Sequence, residues 1–131
     1  MDSLQVRTGQ VSLRILDDEG AERGIFRFNP EDVESAKRVV DLQSVMQSKT
    51  DEFVERNKQC KTAEERIELL SETIKYFRGL IDDCFGEGTS DLVFGKAHTL
   101  SMFTDFIEGI TPYYAKASEK RTAKYKKPAN K

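Results

Sequence analysis

Histidine and cysteine are scarce in this chain: its 131 residues hold one of the first, His98, and two of the second, Cys60 and Cys84. Two cysteines cannot build the disulfide framework of a small secreted domain. Neither has a cysteine or histidine at metal-ligand spacing, so both read as reduced thiols. The lone histidine is tied by no spacing to a cysteine or carboxylate, as a nucleophile–base pair would require. A structural zinc site would need several converging ligands, which the sequence does not group. Long apolar runs are missing too. No window approaches the ~20 apolar residues that span a bilayer, and Met1 to Gln10 lacks the apolar segment of a signal peptide. The expectation is a cytoplasmic protein with no membrane span, no cofactor, no metal and no catalytic residues.

Core-forming residues are also sparse. Apolar residues make up 37% and charged residues 34%, against about 45–50% and about 25% in a typical globular domain. Such a mix suits elongated helices, or a chain that finishes its core with a partner. The net charge of −2 hides an asymmetry: Lys116 to Lys131 carries seven Lys or Arg against the single acid Glu119, which is +6 and leaves −8 for the rest. A basic tail on an acidic body can steer a charged partner. The length fits one domain.

What is present reads as a mainly α (α+β) fold: an N-terminal β-hairpin followed by three long helical segments. Val11, Leu13 and Ile15 alternate with Ser12 and Arg14, and Phe26 and Phe28 flank Arg27, so a hairpin over residues 11–28 has one apolar face. An isolated hairpin is marginal, so that face must pack on the helices or on a neighbouring subunit. Asn29, Pro30, Glu31 and Asp32 spell a helix start, with Asn29 as N-cap and Phe28 and Val33 at the staple positions. The first helix is expected from Pro30 to about Lys58, with one stripe of Val33, Ala36 and Val40 and another of Val39, Leu42, Met46 and Phe53. Thr62-Ala63-Glu64-Glu65 is a capping box opening a second helix, whose stripe runs Ile67, Leu70, Ile74, Phe77, Ile81 and Cys84. Gly86 and Gly88 end it, and a connector containing Thr89 to Gly95 follows. The third segment carries Leu100, Phe103, Ile107, Ile110, Tyr114 and Ala117, with a kink or break expected near Ile110 and Thr111 because Pro112 lacks an N–H. The domain is expected to occupy residues 1–117, and residues 118–131 to form a basic disordered tail.

Motifs that might carry chemistry fail on detail. Gly95-Lys96 lacks the glycine five positions earlier (Ser90 stands there) and the following Ser or Thr of a phosphate loop (Ala97 stands there). Asp82, Asp83, Glu87 and Asp91 lack the ligand alternation and closing glutamate of a calcium loop. Gly86, Gly88 and Gly95 therefore read as structural turn residues. The basic tail comes without a recognition-helix or base-stacking signature, which argues against nucleic acid. Helices with two apolar seams cannot all be covered in a three-helix domain, so part of the C-terminal aromatic set (Phe77, Phe94, Phe103, Phe106, Tyr113 and Tyr114) is expected at a partner-binding surface or in self-association.

Two stretches carry a family resemblance: Phe26-Arg27-Phe28-Asn29-Pro30-Glu31-Asp32 after the hairpin, and Ile81-Asp82-Asp83-Cys84-Phe85-Gly86-Glu87-Gly88-Thr89-Ser90-Asp91-Leu92-Val93-Phe94-Gly95 after the second helix. With the helices between and beyond them, Val11 to Tyr114 resembles the small tail assembly chaperones of long-tailed bacteriophages and prophages of Gram-positive bacteria. The resemblance implies a non-enzymatic protein of the host cytoplasm, a homo-oligomer that holds the long helical tape measure protein until tail tube protein polymerises around it. Many weak copies along an extended ligand would suit that task. The reading left beside it is a small helical regulator or adaptor whose basic tail contacts nucleic acid.

Overall fold

The structure, a computed structural model, describes residues 1–126. It has an antiparallel hairpin of β1 (Val11–Leu16) and β2 (Glu22–Phe28), then α1 (Val33–Gln59), α2 (Ala63–Phe85), α3 (Thr89–Phe94) and α4 (Ser101–Lys126). The mainly α fold with an N-terminal hairpin is the one the sequence predicts.

The hairpin turns because Asp17 can serve two donors. Its carboxylate accepts from the Glu19 and Ala21 N–H groups at 2.9 Å each, an Asx-type turn. The register sets Val11 opposite Phe28 and Leu13 opposite Phe26, so the apolar residues of both strands share one face. Phe26 and Phe28 are buried against the helices; Val11, Leu13 and Ile15 are half covered.

The helix start is displaced from its expected position. Asp32, not Asn29, is the N-cap of α1, its carboxylate accepting from Ser35 N–H at 2.8 Å. Asn29 caps the turn before it, its side-chain oxygen accepting from Glu31 and Asp32 N–H at 3.0 and 3.2 Å. Both residues are good acceptors, and each caps the turn that follows it. With the cap three residues later, Val33 leaves the staple position and is exposed. α2 begins at its expected cap: Glu65 N–H donates to Thr62 Oγ1 at 3.1 Å. The Glu65 carboxylate, however, reaches back to Lys61 N–H at 3.3 Å, one residue before the N–H a capping box uses.

Two further expectations are corrected. The connector between the second and third long helices contains a helix of its own, α3. Of the kink or break expected near Ile110 and Thr111, the break is absent: the third long helix continues through Pro112. Proline costs α4 the N–H that would reach Glu108, but Glu108, Thr111 and Pro112 all lie on the solvent face, where water can serve the freed carbonyl. Phe106, Ile110 and Ala117 are buried on the other face and hold both halves in place. Nor does the helix stop at Ala117. It continues to Lys126, with Arg121 Nη1 donating to the Pro30 and Glu31 carbonyls at 3.3 and 3.2 Å and Lys120 Nζ 3.4 Å from Glu31. Residues 118–126 are therefore helical rather than a disordered tail; the expectation for 127–131 lies outside the described residues.

The core sits where β2, α2, α3 and α4 meet, with Leu42 of α1 closing one side. It is aromatic. Phe103 meets Phe77 edge-on at 5.2 Å and Phe94 at 4.9 Å between centroids; Phe26 meets Phe106 at 5.4 Å and Phe85 at 5.3 Å. Such pairs add about 0.5–1.5 kcal/mol each beyond area burial.

Candidate partner-binding site

The glycine-rich turn places α3. Gly86 ends α2 at φ 117°, ψ 150°, its N–H on the Asp82 carbonyl at 2.8 Å, and Gly88 precedes α3 in the left-handed region at φ 88°. Asp82 then receives the Ser90 N–H at 2.7 Å and the Ser90 hydroxyl at 3.2 Å. Gly95 closes α3 with φ 59°, where a Cβ would run into the Arg23 guanidinium. Behind it Arg78, largely buried, donates to the Gly95 and Ala97 carbonyls at 2.8 and 2.6 Å and to Asp91 at 3.3 Å, and lies over the Phe94 ring. No sequence signal marks Arg78, because its partners stand 13 to 19 positions away. The three glycines and this arginine pin α3 to α2.

That arrangement decides where the six aromatic candidates lie. Phe77, Phe94, Phe103 and Phe106 are buried, Phe103 to 1% exposure, and they hold α2, α3, α4 and the hairpin together. They offer no surface to a partner in this conformation. Tyr114 is half-buried, stacked on Phe28 at 5.8 Å with its hydroxyl 2.8 Å from Ser35 Oγ; burial raises its pKa, against a smaller opposing effect of the Ser35 hydrogen bond. Tyr113, edge-on to Phe28 and 37% exposed, is the most open of the six.

The uncovered apolar surface lies elsewhere. Of the two stripes on α1, Val39 and Leu42 turn inward and are buried, while Val33 and Val40 are each 64% exposed. On α2, Ile67 and Tyr76 are exposed as well. Between α1 and the first half of α4 runs an open groove of about 480 Å³. The half-buried Met46, Leu100 and Ile107 form its open floor, with the buried Phe77 and Phe103 behind them; Gln43, Gln47, Thr50, Ser101, Thr104 and Glu108 form the rim. An apolar floor with a mostly uncharged polar rim suits the apolar face of a helix. The sequence does signal two stripes on α1, but not which of them the rest of the fold leaves open.

The reactive side chains stand apart. His98 is exposed, its Nδ1 2.7 Å from the Lys96 carbonyl. Cys60 and Cys84 are free thiols; burial pushes Cys84 up to about 11, with Arg38 acting weakly in the other direction. Among the described residues no three His, Cys, Asp or Glu side chains come together as a metal site would need, and no helix is long and apolar enough to cross a membrane. Residues 21–131, from β2 through all four helices, match a family of unknown function (DUF6673). The chain belongs to that family. No curated protein and no solved structure matches it.

Proposed function

We propose that this protein is a non-enzymatic tail assembly chaperone, acting in the cytoplasm of a bacterial host to keep a phage tape measure protein soluble until tail tube subunits replace it. The observation that carries the reading is the α1–α4 groove, whose floor of Met46, Leu100 and Ile107 is open to a helix-shaped ligand. The outward stripe of Val33 and Val40 adds a second apolar strip on the same long helix. The sequence resemblance around Phe26–Asp32 and Ile81–Gly95 supplies the identity of the ligand. A long amphipathic protein would be coated by many copies, each binding weakly and leaving readily.

The experiment is co-expression with the long helical protein encoded beside this gene, scored by how much of that partner stays soluble. The wild type is expected to keep it in solution. Gln47→Arg with Thr104→Arg, which fills the groove from its rim without touching the core, is expected to abolish rescue. Failure of the wild type to rescue or to co-purify would overturn the reading. The rival regulator reading is less favoured because Lys120 and Arg121 are occupied by Glu31 and the Pro30 and Glu31 carbonyls. Nucleic-acid binding that weakens steeply with salt would restore it.

A further inference from the structure

The ten residues before β1 form no regular structure, and Leu4 and Val6 stand almost wholly in solvent, 89% and 72% exposed. Leu4 and Val6 alternate with Ser3, Gln5 and Arg7, the period-two pattern of a strand with one apolar face. Such a pattern in an extended segment without a sheet is a strand lacking its neighbour.

The molecule also carries an edge that lacks a strand. β1 pairs only with β2 among the described residues. In an antiparallel pair alternate residues turn their N–H and C=O groups away from the partner, so one side of β1 presents an unpaired row. On the apolar face of the hairpin lies an open cavity of about 710 Å³ between the hairpin and α3–α4, with Leu13, Ile15, Val93, Met102 and Phe106 on its walls. Leu13 and Ile15 are only half covered there. Residues 2–8 in extended form measure about 23 Å, against about 20 Å for the six residues of β1. An antiparallel register that sets Val6 opposite Leu13 and Leu4 opposite Ile15 puts all four apolar side chains on the cavity face.

The arm is held away from the β1 of its own chain. Asn29 Nδ2 donates to the Thr8 carbonyl at 2.9 Å and to Thr8 Oγ1 at 3.3 Å, and Gly9 sits so close to Glu31 that a Cβ there would stand 2.8 Å from its side chain. Asn29 follows β2. If the arm doubled back on its own β1 through Gly9 and Gln10, Thr8 would lie two strand spacings from β2, about 10 Å, and Asn29 could not reach it. The anchor therefore sends the arm beyond the sheet, toward a second molecule.

We propose that the arm of one copy, residues 3–8, adds as a third strand to the outer edge of β1 in a second copy, with Leu4 and Val6 filling the cavity beside it. The exchange joins copies of this chain without using the α1–α4 groove, so it stands or falls independently of the chaperone reading.

Sedimentation of the 131-residue chain across a concentration series tests it. Self-association is expected, and Leu4→Asp with Val6→Asp is expected to raise the concentration needed for it at least tenfold while leaving the melting temperature of the dilute protein unchanged. The register is tested by mixing a Val6→Cys chain with a Leu13→Cys chain under oxidation and mapping the linked peptides by mass spectrometry. A disulfide between positions 6 and 13 of different chains is expected. A strict monomer at every concentration, association indifferent to the aspartates, or a 6–13 link that forms only when both cysteines are in one chain would each overturn the proposal.

Discussion

The Tyr114 hydroxyl on α4 and the Ser35 hydroxyl on α1 lie 2.8 Å apart, joining two helices whose contact residues are 79 positions apart in sequence. Ser35 is buried at the first turn of α1, so its hydroxyl depends on that tyrosine. Tyr114→Phe is expected to lower unfolding free energy by about 1 kcal/mol, and Ser35→Ala by a similar amount. Because each removes the same bond, the double variant should cost little more than either single one. Additive losses in urea titrations would show that the two hydroxyls are not coupled.

Alkaline pH should destabilise the fold. Cys84 is raised from an ordinary 9.0 to about 11, and Tyr114 is raised above its ordinary 10.0, both chiefly by burial. A group whose pKa is higher in the folded state contributes stability that is whole below its unfolded pKa and is lost as pH rises through the folded one. Stability is expected to hold up to about pH 9 and then fall, first through Cys84 and then through Tyr114. Cys84→Ala should flatten the fall between about pH 9 and 11; an unchanged slope in chemical unfolding would remove the thiol from the account.

Gly86 holds φ 117° with ψ 150°, a region open essentially to glycine alone, and Gly88 holds φ 88°. Alanine at either position is expected to cost about 1 kcal/mol or more. Neither site has an atom within 4 Å of a built Cβ, so the loss would come from the backbone alone. Unchanged melting would mean that the turn relaxes without strain.

Phe103 and Tyr113 separate a core role from a surface role. Phe103→Ala should cost about 3–5 kcal/mol, as truncation of a buried phenylalanine does, whereas Tyr113→Ala should cost well under that. Similar melting temperatures for the two variants would contradict the placement of Phe103 at the centre of the aromatic cluster.

The elements most legible in the sequence were those fixed by neighbours in the chain. The hairpin follows from alternation around Leu13 and Phe26, and α2 from Thr62 at one end and Gly86 at the other. The start of α1 lies three residues beyond the one that Asn29 suggests, because Asn29 and Asp32 are both competent caps and the sequence does not rank them. α3 is not legible because six residues are too few to display a helical period. The unbroken course of α4 through Pro112 depends on burial of Phe106, Ile110 and Ala117, which only the assembled fold supplies. The same limit applied to the candidate site: a stripe containing Phe77 or Phe103 shows that one face of a helix is to be covered, but not whether a neighbour in the same chain covers it. The groove is a product of how α1 and α4 diverge and has no local code.

Arg121 closes the fold onto Pro30 and Glu31, 91 and 90 positions upstream. A ribosome extending the chain at about 5–20 residues per second would take roughly 5–18 seconds to make the intervening stretch. Throughout that interval the junction between β2 and α1 exists without the residue that latches it, while the aromatic face of the hairpin gains its partners in steps, Phe85 of α2 first and Phe106, Tyr113 and Tyr114 of α4 later. A translation product ending before Arg121 would therefore emerge with the entry turn into α1 unlatched, its peptide carbonyls at Pro30 and Glu31 left to water.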